Sequence, residues 1–591
     1  MAPRALRAAR IVAALTLVGF HLWLAFAPLV SNLLSRPLHM ALLLPWLFVF
    51  APARHPAARA VGWLLGAAGL ALALGIVAVR EALDEQYGIL QGPFQLAAAG
   101  VLILCVLEMA RRAVGPALPL VAVAALAYGL FGQHLPGRFG HPGIPLESFL
   151  GALTIAEAGL WGPLTGISAT IVALYVLLGA LLSAGEAARA FIGLALTVAG
   201  RWRAGAAKVA VVASALFGSL SGSASANVAS TGAVTLPMMV RLGYPRPLAA
   251  AVEAVASTGG QIMPPLMGAG AFVMAELLRL PYPRVMEAAL LPALLFFLAC
   301  WLALDALARH ARLERVDPRD LPPATELLRT LPFFLLPLAL LLWMLLVERV
   351  TPGRAAVWTA LLAALLLLTD RRLALDPRAA LGRLERAVVD AARQTATIGS
   401  VILCAGLVVG ALNLTGLGVK VTGAILDLSG GRLPAALALT ALACLLLGME
   451  VPTTAAYVVA VAVAGPALQE LGLPALVVHM FVFWYALLST ITPPVCGTVF
   501  IAAGMVGAPW LTAARHALVL GGGLYLVPVA FVRTPALLAP LDDPWGALLG
   551  FARIALALAL LARGAADLGH APLRALPAAA AGLLLLLLPL P

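Results

Sequence analysis

The sequence predicts an all-α polytopic membrane protein built from inverted repeats, with two re-entrant helical hairpins and two broken helices. Hydrophobic residues make up 63% of the 591 residues and charged residues only 11%, whereas about a quarter of the residues of a soluble domain are charged. Apolar runs close to the ~20 residues that a membrane-spanning helix needs recur along the chain. Polar segments interrupt four of these runs, in two pairs of similar spacing.

The apolar runs favour helices over the strands of a membrane barrel. Residues 11–30, 61–79 and 286–306 are continuous apolar blocks rich in Leu and Ala, whereas barrel strands alternate polar and apolar residues over about ten positions. A helix also satisfies its backbone hydrogen bonds within the segment, as a hydrocarbon environment requires.

Charge and cysteine usage exclude several classes of protein. The net charge of +12 comes from short arginine clusters between the apolar runs, which is typical of membrane orientation and not of a nucleic-acid interface. The five cysteines lie in apolar sequence without CxxC or histidine pairing, so no disulfide framework, metal site or organic cofactor is predicted.

No Gly-x-x-x-x-Gly-Lys-Ser/Thr loop is present, and no histidine stands beside a Gly-x-Ser-x-Gly turn. We therefore expect neither an ATP-driven pump nor an enzyme.

Residues 1–113 are predicted to form a four-helix membrane region. If the basic cluster at 4–10 holds the amino terminus in the cytoplasm, successive crossings place the arginines at 54–59 inside. The net acidic segment 80–85 then lies outside and the arginines at 111–112 lie inside, in agreement with the positive-inside rule. Spans in this region contain little polar sequence.

Residues 114–165 are predicted to be a boundary between two parts of the protein. One further span is followed by a segment rich in Gly and Pro, which carries Glu147 and Glu157. This composition predicts an interfacial or partly buried connection.

Residues 166–308 are predicted to form a first repeat that contains a re-entrant hairpin. About thirty residues separate Lys208 from Arg241, and their centre at 219–227 is the polar sequence SLSGSASAN. A single crossing would place Arg241 outside the membrane. Two half-crossings that turn back at the polar centre keep the basic residues at both ends inside, as the positive-inside rule prefers.

A broken helix follows the first hairpin. The apolar segment 248–277 is interrupted at 257–265 by STGGQIMPP. Pro264 and Pro265 remove two backbone donors and clash with the preceding turn, so the helix must break there. Irregular backbone at membrane depth is tolerated only where it is buried in protein or lines a cavity.

A linker and a second repeat follow. Residues 309–394 are predicted to contain a cytoplasmic linker, two scaffold helices and an Arg-rich amphipathic arm at 370–393. Residues 395–533 form the second repeat, which begins with a span at 395–414. Residues 534–591 add carboxyl-terminal membrane helices.

The second repeat has the same pattern as the first. Residues 433–466 are broken at 448–457 by GMEVPTTAAY, and the next apolar segment is broken at 489–494 by STITPP. The interval from Gly222 to Pro264 is 42 residues and that from Gly448 to Pro493 is 45. Counting crossings places the second hairpin on the opposite side of the membrane. Inverted repeats with discontinuous helices are typical of secondary transporters.

The breaks carry groups suited to a small anion and a cation. Amino termini of half-helices present free N–H groups and partial positive charge, which suit a carboxylate. Half-helix carboxyl ends and nearby hydroxyls supply the oxygens that Na⁺ prefers. A channel is an alternative, because broken helices occur in both classes, although inverted duplicated hairpins favour a carrier.

Several of these motifs closely resemble the fused permeases of tripartite ATP-independent periplasmic (TRAP) transporters, especially those served by TAXI-type solute receptors. The resemblance covers most of the region from about 150 to 515. The motifs that carry it are residues 157–166 with the following ISAT, and residues 206–227, 253–267, 448–457 and 481–494.

The resemblance implies an elevator-type transporter in the bacterial inner membrane, with residues 1–113 corresponding to a fused small subunit. A separate periplasmic TAXI-type receptor would deliver a small organic anion, one fused chain would serve each transporter, and Na⁺ would be the coupling ion. By motif position, cation ligands are implied at Ser221, Gly222, Ser223, Asn227, Gly259, Gly260, Gly448, Thr453, Thr454 and Thr492. Substrate contacts are expected at Ser225, Thr258, Gln261, Pro264, Pro452, Thr490 and Pro493.

Glu450 departs from the family pattern. It lies where the Gly-Met-x-x-Pro-Thr-Thr motif is expected to carry a small residue. Because intramembrane carboxylates mark ion pathways, Glu450 opens the alternative of proton coupling. A paired carboxylate, or one that reaches an aqueous vestibule, is an equally valid interpretation.

Overall fold

The computed structural model describes residues 3–27, 29–51, 55–309, 313–370, 374–449, 451–567 and 572–587. Helices account for all regular secondary structure within these ranges. Nine helical segments within these ranges are long and apolar enough to cross a membrane, three of them made of consecutive helical elements. The number is ten when a bent pair at Pro318–Thr330 and Pro332–Val347 is counted as one span. The prediction of an all-α polytopic membrane protein is confirmed.

The described residues of the amino-terminal part of the chain form fifteen α-helices. They are α1 (Pro3–Phe26), α2 (Asn32–Phe48), α3 (Pro56–Ala78), α4 (Arg80–Asp84), α5 (Gly92–Val114), α6 (Ala117–Phe131), α7 (Leu146–Thr154), α8 (Pro163–Ile167), α9 (Ala173–Ala184), α10 (Ala187–Ala199), α11 (Gly205–Ser221), α12 (Ala224–Arg241), α13 (Arg246–Gly259), α14 (Ala269–Leu278) and α15 (Tyr282–Leu307).

The described remainder adds thirteen. They are α16 (Ala324–Thr330), α17 (Pro332–Leu342), α18 (Pro352–Leu366), α19 (Pro377–Thr415), α20 (Leu417–Ser429), α21 (Leu433–Leu447), α22 (Thr453–Glu470), α23 (Ala475–Leu488), α24 (Gly497–Val506), α25 (Trp510–Gly521), α26 (Val527–Arg533), α27 (Pro544–Asp567) and α28 (Pro572–Leu587).

The helices form two compact units, neither of which is continuous in sequence. Described residues within Met1–Gly185, Leu336–Gly431 and Glu450–Ala467 form the first unit. Those within Glu186–Leu335, Arg432–Met449 and Leu468–Pro591 form the second. The division into repeats made from the sequence cuts the chain at other places and stays a prediction.

Helix α19 organises the first unit. It packs against α2, α5, α6 and α9, and its 39 residues extend for about 58 Å at 1.5 Å per residue. The Asp376 side chain accepts a hydrogen bond from the backbone N–H of Ala379 and caps its first turn, and the helix ends at Gly416, which has a φ of +64°. Residues 377–393 of the predicted amphipathic arm and the span that was predicted to begin at residue 395 are therefore one helix, because no proline or glycine interrupts it there.

A chain of buried histidines links the amino-terminal helices to the rest of the first unit. His21 Nδ1 lies 2.6 Å from the carbonyl oxygen of Leu17, so Nδ1 donates and Nε2 is free to accept. His39 Nδ1 lies 2.8 Å from this Nε2, and His39 Nε2 lies 3.0 Å from the Ser168 hydroxyl. Neutral histidines satisfy the donor and acceptor roles of each of these hydrogen bonds. The bonds connect α1 and α2 to the π-helical turn Ser168–Val172.

The second unit contains the first hairpin and both broken helices. Helices α11 and α12 are joined through Gly222 and Ser223 and pack against each other. Helix α13 packs against both of them and against α24 and α25. The chain reversal predicted near Gly222 is observed, and its depth in the membrane stays a prediction.

The predicted second hairpin corresponds to α21 and α22. Helix α21 belongs to the second unit, whereas α22 belongs to the first unit as far as Ala467. The hairpin therefore remains a sequence prediction.

Candidate functional site

Both broken helices have the same order of elements. Helix α13 ends in a 3-10 turn, Gly260–Ile262, and α23 ends in a 3-10 turn, Ser489–Ile491. Each turn is followed by two prolines joined by a cis peptide bond, Pro264–Pro265 and Pro493–Pro494. Helices α14 and α24, each of 10 residues, then resume the helical path. The breaks lie where the sequence placed them, because each proline lacks the N–H that a helix needs.

The two breaks meet in the second unit. Thr258 Oγ1 of the first lies 3.1 Å from Thr490 Oγ1 of the second. The Thr258 hydroxyl also lies 2.9 Å from the carbonyl oxygen of Ala254, and the Thr490 hydroxyl 2.9 Å from that of Leu487. Each hydroxyl has one hydrogen to donate and two lone pairs on its oxygen. With both hydrogens directed to carbonyl oxygens, lone pairs of the two hydroxyl oxygens remain available to a donor or a cation. Two residues predicted to contact substrate are brought together.

The first hairpin approaches the first break at backbone distance. A Cβ on Gly260 would lie 2.5 Å from the Cα of Gly218, and a Cβ on Gly222 would overlap the Cα of Gly268. Gly222 and Gly268 also have φ values of +59° and +73°, which L side chains rarely adopt. Gly259 packs with similar tightness against the ring of Phe296. The glycines predicted to be ion ligands therefore allow close packing around the first break: Gly222 and Gly260 between the hairpin and the break, and Gly259 against Phe296 of α15.

Asn227 connects the hairpin to the break. Its Nδ2 donates to the carbonyl oxygens of Ser214 at 3.0 Å and Ser257 at 3.3 Å. This assignment of the amide turns Oδ1 toward Thr231, whose hydroxyl lies 3.2 Å away. The side chain is fully buried, so it holds the two elements in register and presents one oxygen to the interior.

Glu253 is the buried acid that the sequence analysis did not include among the site residues. It is 0% exposed, and its two carboxylate oxygens accept hydrogen bonds from the hydroxyls of Thr231 and Thr235. The Ser257 hydroxyl also lies 3.2 Å from Oε1. No lysine, arginine or histidine in the described part of the chain pairs with it. The sequence feature that could have identified Glu253 is its position as an acid within an apolar span, one turn before Ser257.

Other residues predicted near the first break have different surroundings. Ser223 is the N-cap of α12, and its hydroxyl accepts from the backbone N–H of Ala226 at 3.3 Å. Ser225 is exposed, whereas Gln261 is buried, and Pro264 lies at the cis bond. The Ser221 side chain lies outside the described part of the structure.

The second break is surrounded by hydroxyls. Thr492 Oγ1 donates to the carbonyl oxygen of Leu488 at 2.7 Å and lies 2.7 Å from the hydroxyl of Tyr525. A Cβ on Gly448 would overlap the Ser489 hydroxyl, so Gly448 lies against this break. Tyr525 and Ser489 were missed, because no local pattern links Tyr525 to a residue 33 positions away.

Four of the remaining predicted residues are not placed at this site. Pro452, Thr453 and Thr454 belong to the first unit, and their part in a common site stays a prediction. Pro493 lies at the second cis bond. Glu450 lies outside the described residues.

The model of the tripartite ATP-independent periplasmic transporter DctM component matches residues 101–540. This match covers most of the chain. The protein belongs to the DctM component family.

Three curated relatives match parts of the chain. The uncharacterized protein y4mL of Sinorhizobium fredii is 26% identical over 248 residues, 41% of this chain and 54% of that protein. Two proteins named C4-dicarboxylate TRAP transporter large permease protein DctM also match. That of Rhodobacter capsulatus is 38% identical over 78 residues, and that of Pseudomonas aeruginosa is 40% identical over 84 residues. These matches cover 13% and 14% of this chain and 18% and 20% of the two proteins.

The chain thus spans about half the length of y4mL and a fifth or less of the two DctM proteins. DctM is a transporter component, which agrees with the expectation of a transporter permease and not an enzyme. The DctM match contains both broken helices and the first hairpin, while residues 1–100 precede it.

Proposed function

We propose that this DctM-family chain is the permease of a secondary, ATP-independent transporter that imports a small organic anion. The observation that carries the proposal is the meeting of two helix breaks at Thr258 and Thr490. Freed backbone groups and hydroxyls lie together there, and discontinuous helices in corresponding positions are how secondary transporters build a substrate site.

The substrate class follows from the chemistry of the breaks. Helices α14 and α24 begin directly after the non-helical segments, and helix amino termini favour carboxylates through free N–H groups and the helix dipole. Two relatives are named for C4-dicarboxylates, so a mono- or dicarboxylate is the first substrate class to test.

Coupling to Na⁺ is the proposed energy source. The second break offers the hydroxyl oxygens of Thr490, Thr492 and Tyr525, and neutral oxygens suit a hard monovalent cation. The two hairpins would carry ion and substrate past a fixed scaffold in an elevator movement.

A periplasmic solute-binding protein of the TAXI type is the proposed partner. The chain would reside in the bacterial inner membrane with its amino terminus in the cytoplasm. Residues 1–113 would act as the fused small subunit, so one chain would suffice for each transporter.

Proton coupling is a second candidate, favoured by the buried carboxylate of Glu253. A carboxylate without a cationic partner is costly inside a protein unless a proton or a metal ion neutralises it. Glu450, at the second predicted hairpin, is the other acid in this scheme. An anion channel is the remaining alternative and would need no gradient of a coupling ion.

The test is uptake into proteoliposomes supplied with the cognate receptor, under Na⁺ and proton gradients imposed separately. Uptake that needs the receptor and an inward Na⁺ gradient, with K⁺ as the matched control cation, supports the proposal. Uptake driven only by a proton gradient selects the second candidate. Receptor-independent uptake, or uptake that requires ATP, would exclude both.

A further inference from the structure

A cavity of about 760 Å³ lies in the first unit where the ends of several helices meet. Its wall includes residues near the start of α1, the carboxyl ends of α2, α5 and α9, and the amino-terminal half of α19. The cavity is separate from the two helix breaks, which belong to the second unit.

Part of the cavity wall is apolar. Trp46, Leu47 and Phe50 line it at the end of α2, and Ala180 and Ala184 line it at the end of α9. This surface suits hydrocarbon chains rather than a fully hydrated solute.

Basic residues also line the cavity. Four arginines line the cavity and Asp390 is the one acid among its lining residues. The four are Arg10, Arg112, Arg386 and Arg393. The lining therefore has an excess of positive charge, which is complementary to an anion.

Two of these arginines are already engaged by the protein. Arg112 Nε donates to Glu108 at 2.7 Å and its Nη1 to the carbonyl oxygen of Leu47 at 3.3 Å. Arg10 Nη2 donates to the carbonyl oxygen of Phe50 at 3.2 Å. Both arginines stabilise the end of α2, where helix carbonyls lack intrahelical donors.

The other two arginines lie seven residues apart on one face of α19. Arg393 forms an ion pair with Asp390 at 3.1 Å, and its side chain is 72% exposed. Arg386 is exposed and makes no hydrogen bond or ion pair with the part of the chain that the structure describes. Its planar group of N–H donors matches the geometry of a phosphate.

The cavity lies at a membrane surface. Helix α19 extends for about 58 Å, well beyond the ~30 Å hydrocarbon core, and its apolar, buried part is the carboxyl-terminal half. Its Arg-rich half therefore projects from the membrane on the side where the arginines of α1 and α5 gather. The positive-inside rule identifies this side as cytoplasmic.

We propose that this cavity binds an anionic phospholipid, with the phosphate at Arg386 and Arg393 and the acyl chains along Trp46 and Phe50. Basic recesses between membrane helices on the cytoplasmic side are suited to anionic lipid head groups. Arginine and apolar surface lie side by side here, as a phospholipid requires and a soluble phosphate does not.

The experiment is native mass spectrometry of the full chain in neutral detergent, titrated with phosphatidylglycerol or with phosphatidylcholine of the same acyl chains. Wild type retains phosphatidylglycerol in preference to phosphatidylcholine. Arg386→Gln weakens phosphatidylglycerol binding about tenfold, since hydrogen bonds to charged groups are at stake. The matched control is Arg378→Gln, which removes the same charge two turns earlier on α19, outside the cavity lining, and leaves the affinity unchanged.

A second measurement separates lipid binding from folding and from simple anion binding. Thermal unfolding without added lipid is the same for both variants, and phosphatidylglycerol raises the Tm of wild type and Arg378→Gln more than that of Arg386→Gln. Soluble glycerol 3-phosphate does not reproduce this increase. Equal retention of both lipids by wild type, or equal loss of binding in both variants, would overturn the proposal, as would full stabilisation by glycerol 3-phosphate.

Discussion

The first and second helix breaks have the same backbone arrangement but are surrounded by different side chains. Around the first, Asn227 and the carboxylate of Glu253 are buried with threonine and serine hydroxyls. Around the second, Thr492 and Tyr525 supply neutral hydroxyls. The same backbone arrangement, a proline pair after a 3-10 turn, thus lies beside a buried carboxyl group at the first break and beside neutral hydroxyls at the second.

The breaks also differ in how closely the neighbouring chain approaches. Gly260 of the first break faces Gly218, so backbone meets backbone. The corresponding position of the second 3-10 turn is Ser489, whose side chain faces Gly448. Tight packing at the first break leaves no room for a side chain, whereas the second break already holds one.

The largest effect is expected for Gly260→Ala. Its Cβ would lie 2.5 Å from the Cα of Gly218, and backbone cannot move aside as a flexible side chain can. Overpacking costs about 1–3 kcal/mol or more, so we expect a lower Tm and loss of uptake. Size-exclusion chromatography after a heat step measures the former.

Gly504→Ala is the matched control, because no atom lies within 4 Å of the added Cβ in α24. It is expected to retain its Tm or to gain slightly from helix propensity. If both alanine variants unfold at the same temperature, the close contact at the first break is unimportant and the comparison fails.

The next effect is expected for Glu253→Gln, which removes the charge and keeps the shape. The charge of this carboxylate would contribute to binding the coupling cation, so its removal should lower the cation affinity about tenfold or more. Uptake should fall while the Tm stays the same or rises, since burying a charge is costly. Exposed Glu276 provides the control substitution Glu276→Gln. Normal uptake by Glu253→Gln under both gradients would remove the acid from coupling.

A smaller effect is expected at the second break. Thr492→Val and Tyr525→Phe each remove the 2.7 Å hydrogen bond between these hydroxyls, at a cost of about 1 kcal/mol. The apparent Na⁺ affinity of uptake should fall severalfold in either variant and no further in the double variant. Tyr87→Phe, at a side chain that is 91% exposed and belongs to the first unit, should leave the affinity unchanged. Additive losses would show that the two hydroxyls act separately.

The smallest effect is expected where the breaks touch. In a double-mutant cycle of Thr258→Val and Thr490→Val, the coupling energy should be about 0.5–1 kcal/mol, as for a neutral hydrogen bond. Apparent substrate affinity is the quantity to measure. Pairing Thr258→Val with Thr197→Val, at an exposed position of α10, should give no coupling. A coupling energy of zero between Thr258 and Thr490 would mean that the two breaks contribute to substrate affinity independently.

Much of the fold could be predicted from the sequence because the interactions that form its helices and breaks act between nearby residues. Long apolar runs specify membrane helices, and the proline pairs at 264–265 and 493–494 break them wherever they are packed. Gly222 reverses the chain between α11 and α12, as its polar surroundings predicted. The continuity of α19 through residue 394 was not recognised, because the change from charged to apolar sequence resembled a boundary although helix propensity runs through it.

The candidate site likewise has features set by local sequence and features set by tertiary packing. The sequence by itself determined the membrane helices, both breaks and the hydroxyls beside them, since periodicity and proline chemistry act over a few residues. Only the tertiary structure decided that Thr258 meets Thr490, that Glu253 faces Thr231 and Thr235, and that Tyr525 reaches Thr492. Contacts between residues far apart in sequence depend on how helices pack, and packing is a property of the assembled helices together.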